Sequence, residues 1–332
     1  MKVAISKQPV RWITVIIVLM IFLLPTYMDN PYYLRLIQMI AIFSLLGLGL
    51  NFLFGYTGQI SLGHAAFYAM GAYVSVILET IVGMHFLLAW IVTILFTIVV
   101  AVIVSLPILK LKGHYLAMAT IAFGLIIETF LVQWRSLTGG HDGTFIMPET
   151  ILGPWLAENI YYLIVGSVII SFMLLRNLTR SSIGRVHMAL RDDEDAAEAL
   201  GVNVLKHKVF AFALSAALAA IAGIWYAHYS MVITPEVFGV HTSIQILMLI
   251  VIGGLASNLG SILGAAFLIL VPELLQEFQD ATVFIYGLIV LAVLIFFPKG
   301  LAGIVQLVIR FFKKFLFSHD KDSEKGSFKD VS

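Results

Sequence analysis

Long apolar stretches bounded by charge set the rhythm of this chain. Uncharged runs occupy residues 12–28, 36–78, 80–109, 159–175, 209–235, 237–272 and 281–298. A helix that crosses a bilayer needs about 20 mostly apolar residues. In lipid the backbone amides have no water to bond, so an open chain crosses as helix. Divided at glycines, prolines and polar turns, the runs predict ten spans: 11–28, 33–54, 59–78, 86–109, 115–133, 160–176, 208–230, 240–256, 259–276 and 281–298. The run 237–272 fits either two short spans or one span plus a re-entrant piece. Two are preferred, with Gly253-Gly254-Leu255-Ala256-Ser257-Asn258-Leu259-Gly260 as the turn, because a single span would put the basic tail on the wrong side.

Composition agrees. The 332 residues are 61% hydrophobic and 12% charged, with a mean hydropathy of +1.01, whereas a soluble domain carries about 25% charged residues. The predicted class is therefore an all-α polytopic membrane protein. The net charge of +1 decides nothing. The absence of cysteine excludes disulfides and thiolate metal sites. Lys2, Lys7 and Arg11 before an apolar run look like a signal peptide, but Pro25-Thr26-Tyr27-Met28-Asp29 offers no small-residue cleavage site, so a retained first span is expected.

The placement of basic residues orients the chain. With both termini cytoplasmic, 18 of the 20 Lys and Arg residues fall on inner segments, leaving Arg35 and Arg135 outside. That asymmetry follows the positive-inside bias. The expected organisation is a transmembrane region at 1–300, with its long inner loop at 177–207. An interfacial helix at 301–317 follows, carrying Arg310, Lys313 and Lys314 toward anionic lipid. A disordered polar tail fills 318–332.

Four places carry chemistry. The inner loop contains Arg191-Asp192-Asp193-Glu194-Asp195-Ala196-Ala197-Glu198-Ala199-Leu200-Gly201, a charged island in an otherwise apolar chain. Ser181 or Ser182 caps a first short helix, and the carboxylates suit the N-terminus of a second. Ala196, Ala197 and Ala199 give that second helix a small, flat face, and Gly201 suits its C-terminal cap. The pair reads either as a knob that docks a soluble partner or as a solvated connection. The glycine-rich segment 55–71 places Thr57, Gln59, Ser61 and His64 along a substrate path, or packs two spans tightly with those groups satisfied between helices.

Polar groups at membrane depth are the third set. Glu128 and Gln245 face a pore or a partner helix, with hydration near the outer surface as the alternative for Glu128. His228 and Glu273 are expected near the outer boundary, where water makes them inexpensive. Asn51 and Gln38 serve as interhelical hydrogen bonds or substrate contacts. The fourth place is the outer loop 134–159, whose Thr138-Gly139-Gly140-His141-Asp142-Gly143 is too poor in ligands for a metal site and suits docking of an external protein.

Several of these stretches together resemble the permease subunits of ABC importers. Asp195-Ala196-Ala197, three further residues and Gly201 match that group's Glu-Ala-Ala-x-x-x-Gly loop, with Asp in place of Glu. The sequences Asn51 to Phe67, Leu137 to Gly143, Gly184 to Asn203, Tyr226-Ala227-His228-Tyr229 and Gly253 through Ala265 are similar to the M-type (LivM-type) permeases of branched-chain amino acid importers. The wider importer motif ends Ile-x-Leu-Pro, and residues 209–214 depart from it.

The resemblance implies an ABC importer permease fold of about ten helices in the bacterial inner membrane. It also implies a second homologous permease subunit, two cytoplasmic ATPase subunits and an extracytoplasmic substrate-binding protein. Arg191, Asp193, Glu194, Asp195, Ala196, Ala197 and Gly201 would then couple to the ATPases. Nothing resembles a Gly-x-x-x-x-Gly-Lys-Ser/Thr phosphate loop, so any ATP is bound by partner chains. No cofactor, nucleic acid or catalytic role is expected of this chain. The same architecture would also serve urea, short amides or another amino acid. A stand-alone secondary carrier is the other class, which a buried carboxylate cluster would favour.

Overall fold

The structure, a computed structural model, describes residue 25, residues 30–298, 300–305 and 307. The expected first span 11–28, most of the interfacial helix and the tail 318–332 lie outside the described residues. Eleven helices form the frame: α1 (Pro31–Leu50), α2 (His64–Thr80), α3 (Phe86–Ile108), α4 (His114–Gln133), α5 (Ile160–Arg180), α6 (Ser182–Asp192), α7 (Glu194–Ala199), α8 (Val204–Ser230), α9 (Val240–Gly253), α10 (Asn258–Leu274) and α11 (Thr282–Phe296). Shorter helical turns lie between them. Among the described residues, strand is limited to Thr144–Phe145 paired antiparallel with Val232–Ile233.

Among the described residues, five helices are long and apolar enough to cross a membrane, namely Pro31–Tyr56, α3, α4, α5 and α8. The chain is thus an all-α, multi-pass membrane protein. The run 237–272 does hold two helices, α9 and α10, joined by the turn at 254–257, and both are shorter than a full span. The expected span 59–78 is corrected. Residues 57–63 are not helical, and α2 begins at His64. Gly58, with φ +74°, ends the preceding winding.

Burial sorts the helices by side-chain size. On α3 the small residues Ala89, Thr93, Thr97, Ala101 and Ser105 recur every fourth position and face inward. Its large residues Ile91, Leu95, Val99 and Ile103 are exposed on the opposite side. Lipid is as apolar as leucine, so membrane helices pack through small residues and turn bulk outward. The same rule brings α2 and α8 together. A Cβ on Gly71 would strike the Ala220 backbone, and one on Gly223 would strike Tyr68 and Ala72. Around this crossing α1, α2 and α8 make the core, with Tyr68, Tyr226 and Phe238 edge-packed at its centre.

Between α1 and the loop 57–63 the chain winds as π-helix over Asn51–Tyr56. Such turns are rare and frequently lie at functional sites. Here the Asn51 amide donates to Ser257 O at 2.9 Å and Ser261 Oγ at 3.0 Å, while Ala256 N donates to Asn51 Oδ1 at 2.9 Å. The π segment is therefore fastened to the α9–α10 turn.

Candidate coupling surface and translocation path

Helices α6 and α7 form a compact knob at one end of the bundle, and local chemistry explains its shape. The Ser181 hydroxyl accepts from Gly184 N, which starts α6. Asp193 breaks the helix in extended conformation, and its Oδ1 accepts from Ala196 N at 3.0 Å to start α7. Glu194 and Asp195 occupy the first turn, where carboxylates meet the positive end of the helix dipole. At the other end Gly201 N bonds Glu198 O and Val202 N bonds Ala197 O. With Gly201 at φ +85°, this is the Schellman closure that glycine favours.

Three contacts tie the knob to the bundle. Arg191 Nη1 donates to Gly55 O in the π segment at 2.7 Å. Lys208, nearly buried at the start of α8, pairs with Glu194 at 2.6 Å. Lys112 reaches Asp195 at 3.3 Å, but both side chains are exposed. Beneath α6 lies His187, fully buried against Phe52, His207 and Phe210. Burial, reinforced by the neighbouring His207, lowers its pKa to about 4.

The alanine face divides. Ala197 is buried against the bundle, while Ala196 and Ala199 are exposed beside Leu200, whose exposure reaches 87%. Leu200 is thus a large apolar side chain left uncovered beside small residues on a charged knob. Sequence reasoning missed Leu200. Its signal was a lone large apolar residue inside a polar island.

The residues expected along a substrate path fall into two places. At the knob end, the Thr57 hydroxyl donates to Phe52 O and Leu53 O, which closes the π segment. Gln59, Ser61 and His64 are buried, and both amide atoms of Gln59, Ser61 Oγ and His64 Nε2 have no hydrogen-bond partner among the described residues. Thr57 and Gln59 line a cavity of about 210 Å³ between the loop 57–63, the start of α4 and the knob. Toward the opposite end, Gln245 lines a cavity of about 420 Å³. The Glu128 carboxylate lies against Gly239, just before α9.

That opposite end holds the largest correction. His228, expected to be hydrated, is fully buried 3.1 Å from Glu79, whose side chain is equally inaccessible. Trp90 donates its indole N–H to Glu79 Oε1 at 2.7 Å. His228 Nδ1 sits 2.8 Å from Ile224 O. A carbonyl only accepts, so Nδ1 carries a proton and Nε2 faces Glu79. Nearby, the loop 134–159 is closed by Thr138 and the short strand pair, and His141 meets Glu236 at 3.4 Å. Among the described residues no cluster of three metal-ligating side chains occurs.

Comparison with known proteins places this geometry. The LivM permease of the high-affinity branched-chain amino acid transport system of Salmonella typhimurium is 30% identical over 289 residues, covering 79% of this chain and 68% of that protein. The Escherichia coli LivM is 30% identical over 286 residues, covering 78% and 67%. The Escherichia coli LivH permease is 25% identical over 289 residues, covering 79% and 91%. No solved structure matches the chain. The family described as the permease component of the branched-chain amino acid transport system matches residues 32–298, which span α1 through α11. The chain is therefore a multi-pass transport permease and belongs to that family.

Proposed function

We propose that this chain is one of two homologous permease subunits of an ATP-driven importer that takes branched-chain amino acids across a bacterial plasma membrane. Similarity to both LivM and LivH supports a pore built from two related permeases. In this reading the chain has about ten spans, with both termini and the knob cytoplasmic and the loop 134–159 outside. A loaded binding protein docks on the outer loops. Closure of two ATPase subunits pushes on α6 and α7, and the permease pair turns from outward- to inward-facing.

One observation carries the coupling role. The knob is tied to the bundle by Arg191 and Lys208, yet presents Ala196, Ala199 and Leu200 to solvent. A connecting loop has no need of both a rigid root and an apolar tip. Asp193, Glu194 and Asp195 build the tip, and Gly201 ends it without a side chain. No step in this scheme makes or breaks a bond in this subunit, so the role is that of a conduit and not of an enzyme.

The test is purification of the tagged chain in mild detergent, with identification of what accompanies it. Two ATPase chains and a second permease are the expected companions. Leu200→Asp should remove the ATPases and keep the second permease. A transport-active preparation of this chain alone would overturn the reading and point to a secondary carrier.

A further inference from the structure

The cavity of about 420 Å³ lies among α1, α2, α8, α9 and the turn Pro235–Phe238. Its volume falls in the ordinary range for small-molecule sites, about 300–1,000 Å³. One wall is apolar, made by Met39, Phe43 and Val237. The other carries a few polar groups. Thr242 is already occupied, because its hydroxyl donates to Val237 O at 2.6 Å. Tyr68 is not. Its side chain is wholly buried and its hydroxyl has no hydrogen-bond partner among the described residues. Gln245 lines the same wall, with no hydrogen bond from its amide among those found in the described residues. Glu236 lines the cavity with its side chain largely exposed, where His141 also reaches it.

Resting on the function proposed above, we propose that this cavity is a transit site for a zwitterionic amino acid with an aliphatic side chain. The aliphatic group lies against Met39 and Phe43. The ammonium turns to the Glu236 carboxylate and to the tyrosine faces, which attract cations. The carboxylate receives hydrogen bonds from the Tyr68 hydroxyl and the Gln245 amide. No lysine or arginine lines the cavity. Its basic residue is the exposed His241 and its acidic one Glu236, so a ligand with net negative charge meets a carboxylate with no lysine or arginine to offset it. Weak holding suits a path that must release what it receives. Polar groups that fix orientation, set in an apolar wall, are the usual form of such a site.

The test uses the complete importer in proteoliposomes, with its binding protein loaded and saturating. Leucine uptake and ATP hydrolysis are measured together for the parent chain and for Tyr68→Phe with Gln245→Leu. Leucine moved per ATP should fall about ten-fold, the size expected when a pair of hydrogen bonds is lost without replacement. Stimulation of hydrolysis by the loaded binding protein should persist, because docking and coupling lie elsewhere. An unchanged leucine-to-ATP ratio overturns the site.

A second measurement holds even where that variant fails to assemble. Met39→Cys introduces a single thiol, since the chain has no cysteine. Excess free leucine should slow its modification by a polar maleimide, and excess glutamate should not. Equal rates with and without leucine also overturn the site. A parent importer that moves no leucine, isoleucine or valine would instead refute the function on which the site rests.

Discussion

The two ends of the bundle treat charge in opposite ways. At one end Glu79 and His228 are sealed from solvent, joined at 3.1 Å and bonded to Trp90 and the α8 backbone. At the other, Asp193 and Asp195 stand exposed on the knob, with Lys112 as a solvated partner for Asp195. A buried pair fixes geometry, because parting it strands polar groups in a medium that cannot solvate them. An exposed cluster fixes little and remains available to others. The sealed end behaves as a fastening of α2, α3 and α8, and the open end as a handle.

The sharpest break in that contrast comes from Glu79→Ala, which leaves His228 buried with no carboxylate. A loss of about 1–3 kcal/mol is expected, the usual cost of leaving buried hydrogen-bonding groups, here those of Trp90 and His228, without their partner. Thermal unfolding in detergent would read it, and an unaltered midpoint would show that the pair fastens nothing. Replacing Asp193, Glu194 and Asp195 together with alanine should instead leave membrane insertion intact, while it removes the Asp193 cap of α7 and the Glu194 partner of Lys208. Uptake should fall about ten-fold or more while ATP hydrolysis continues, the pattern of a lost transition-specific interaction. Unchanged uptake would remove the handle from the mechanism.

His187 sharpens the comparison, since it is a buried titratable group at the open end. Its folded pKa is about 4, below the unfolded value of 6.5. The neutral form is the one that packs, so its contribution is fully present above pH 6.5 and declines as pH falls toward 4. The thermal midpoint of the parent should drop across that window by more than the midpoint of His187→Phe. Parallel pH profiles would refute the assignment. The smallest effect belongs to Lys112→Met. Its pair with Asp195 is exposed on both sides, and neither stability nor uptake should change measurably.

Much of this was legible in the sequence wherever one residue acts on its immediate neighbours. Ser181, Asp193 and Gly201 mark the ends of α6 and α7 through bonds to residues within a few positions. Apolar run length likewise located most of the long helices. What escaped depends on residues brought together by packing. Nothing near Glu79 announces His228, and a histidine at the end of a span reads as hydrated until α3 is seen to cover it with Trp90. The boundary at Gln59 was missed because the run 36–78 stays apolar through a stretch whose hydrogen bonding is π-helical and then irregular. Of the residues expected on the path, Gln245 lines the larger cavity, and Thr57 and Gln59 line the smaller. Distance along the chain gave no means of separating them.

The π winding at Asn51–Tyr56 has a mechanical consequence. A π turn is an α-helix carrying one surplus residue, so it holds slack. Rewinding it as α would advance the following chain by about 1.5 Å and swing it by about 100°. Two latches hold that slack in place: Asn51 against the α9–α10 turn and Gly55 O under Arg191. Because the second latch belongs to the knob, pulling the knob away frees one side of the surplus residue while the other stays anchored.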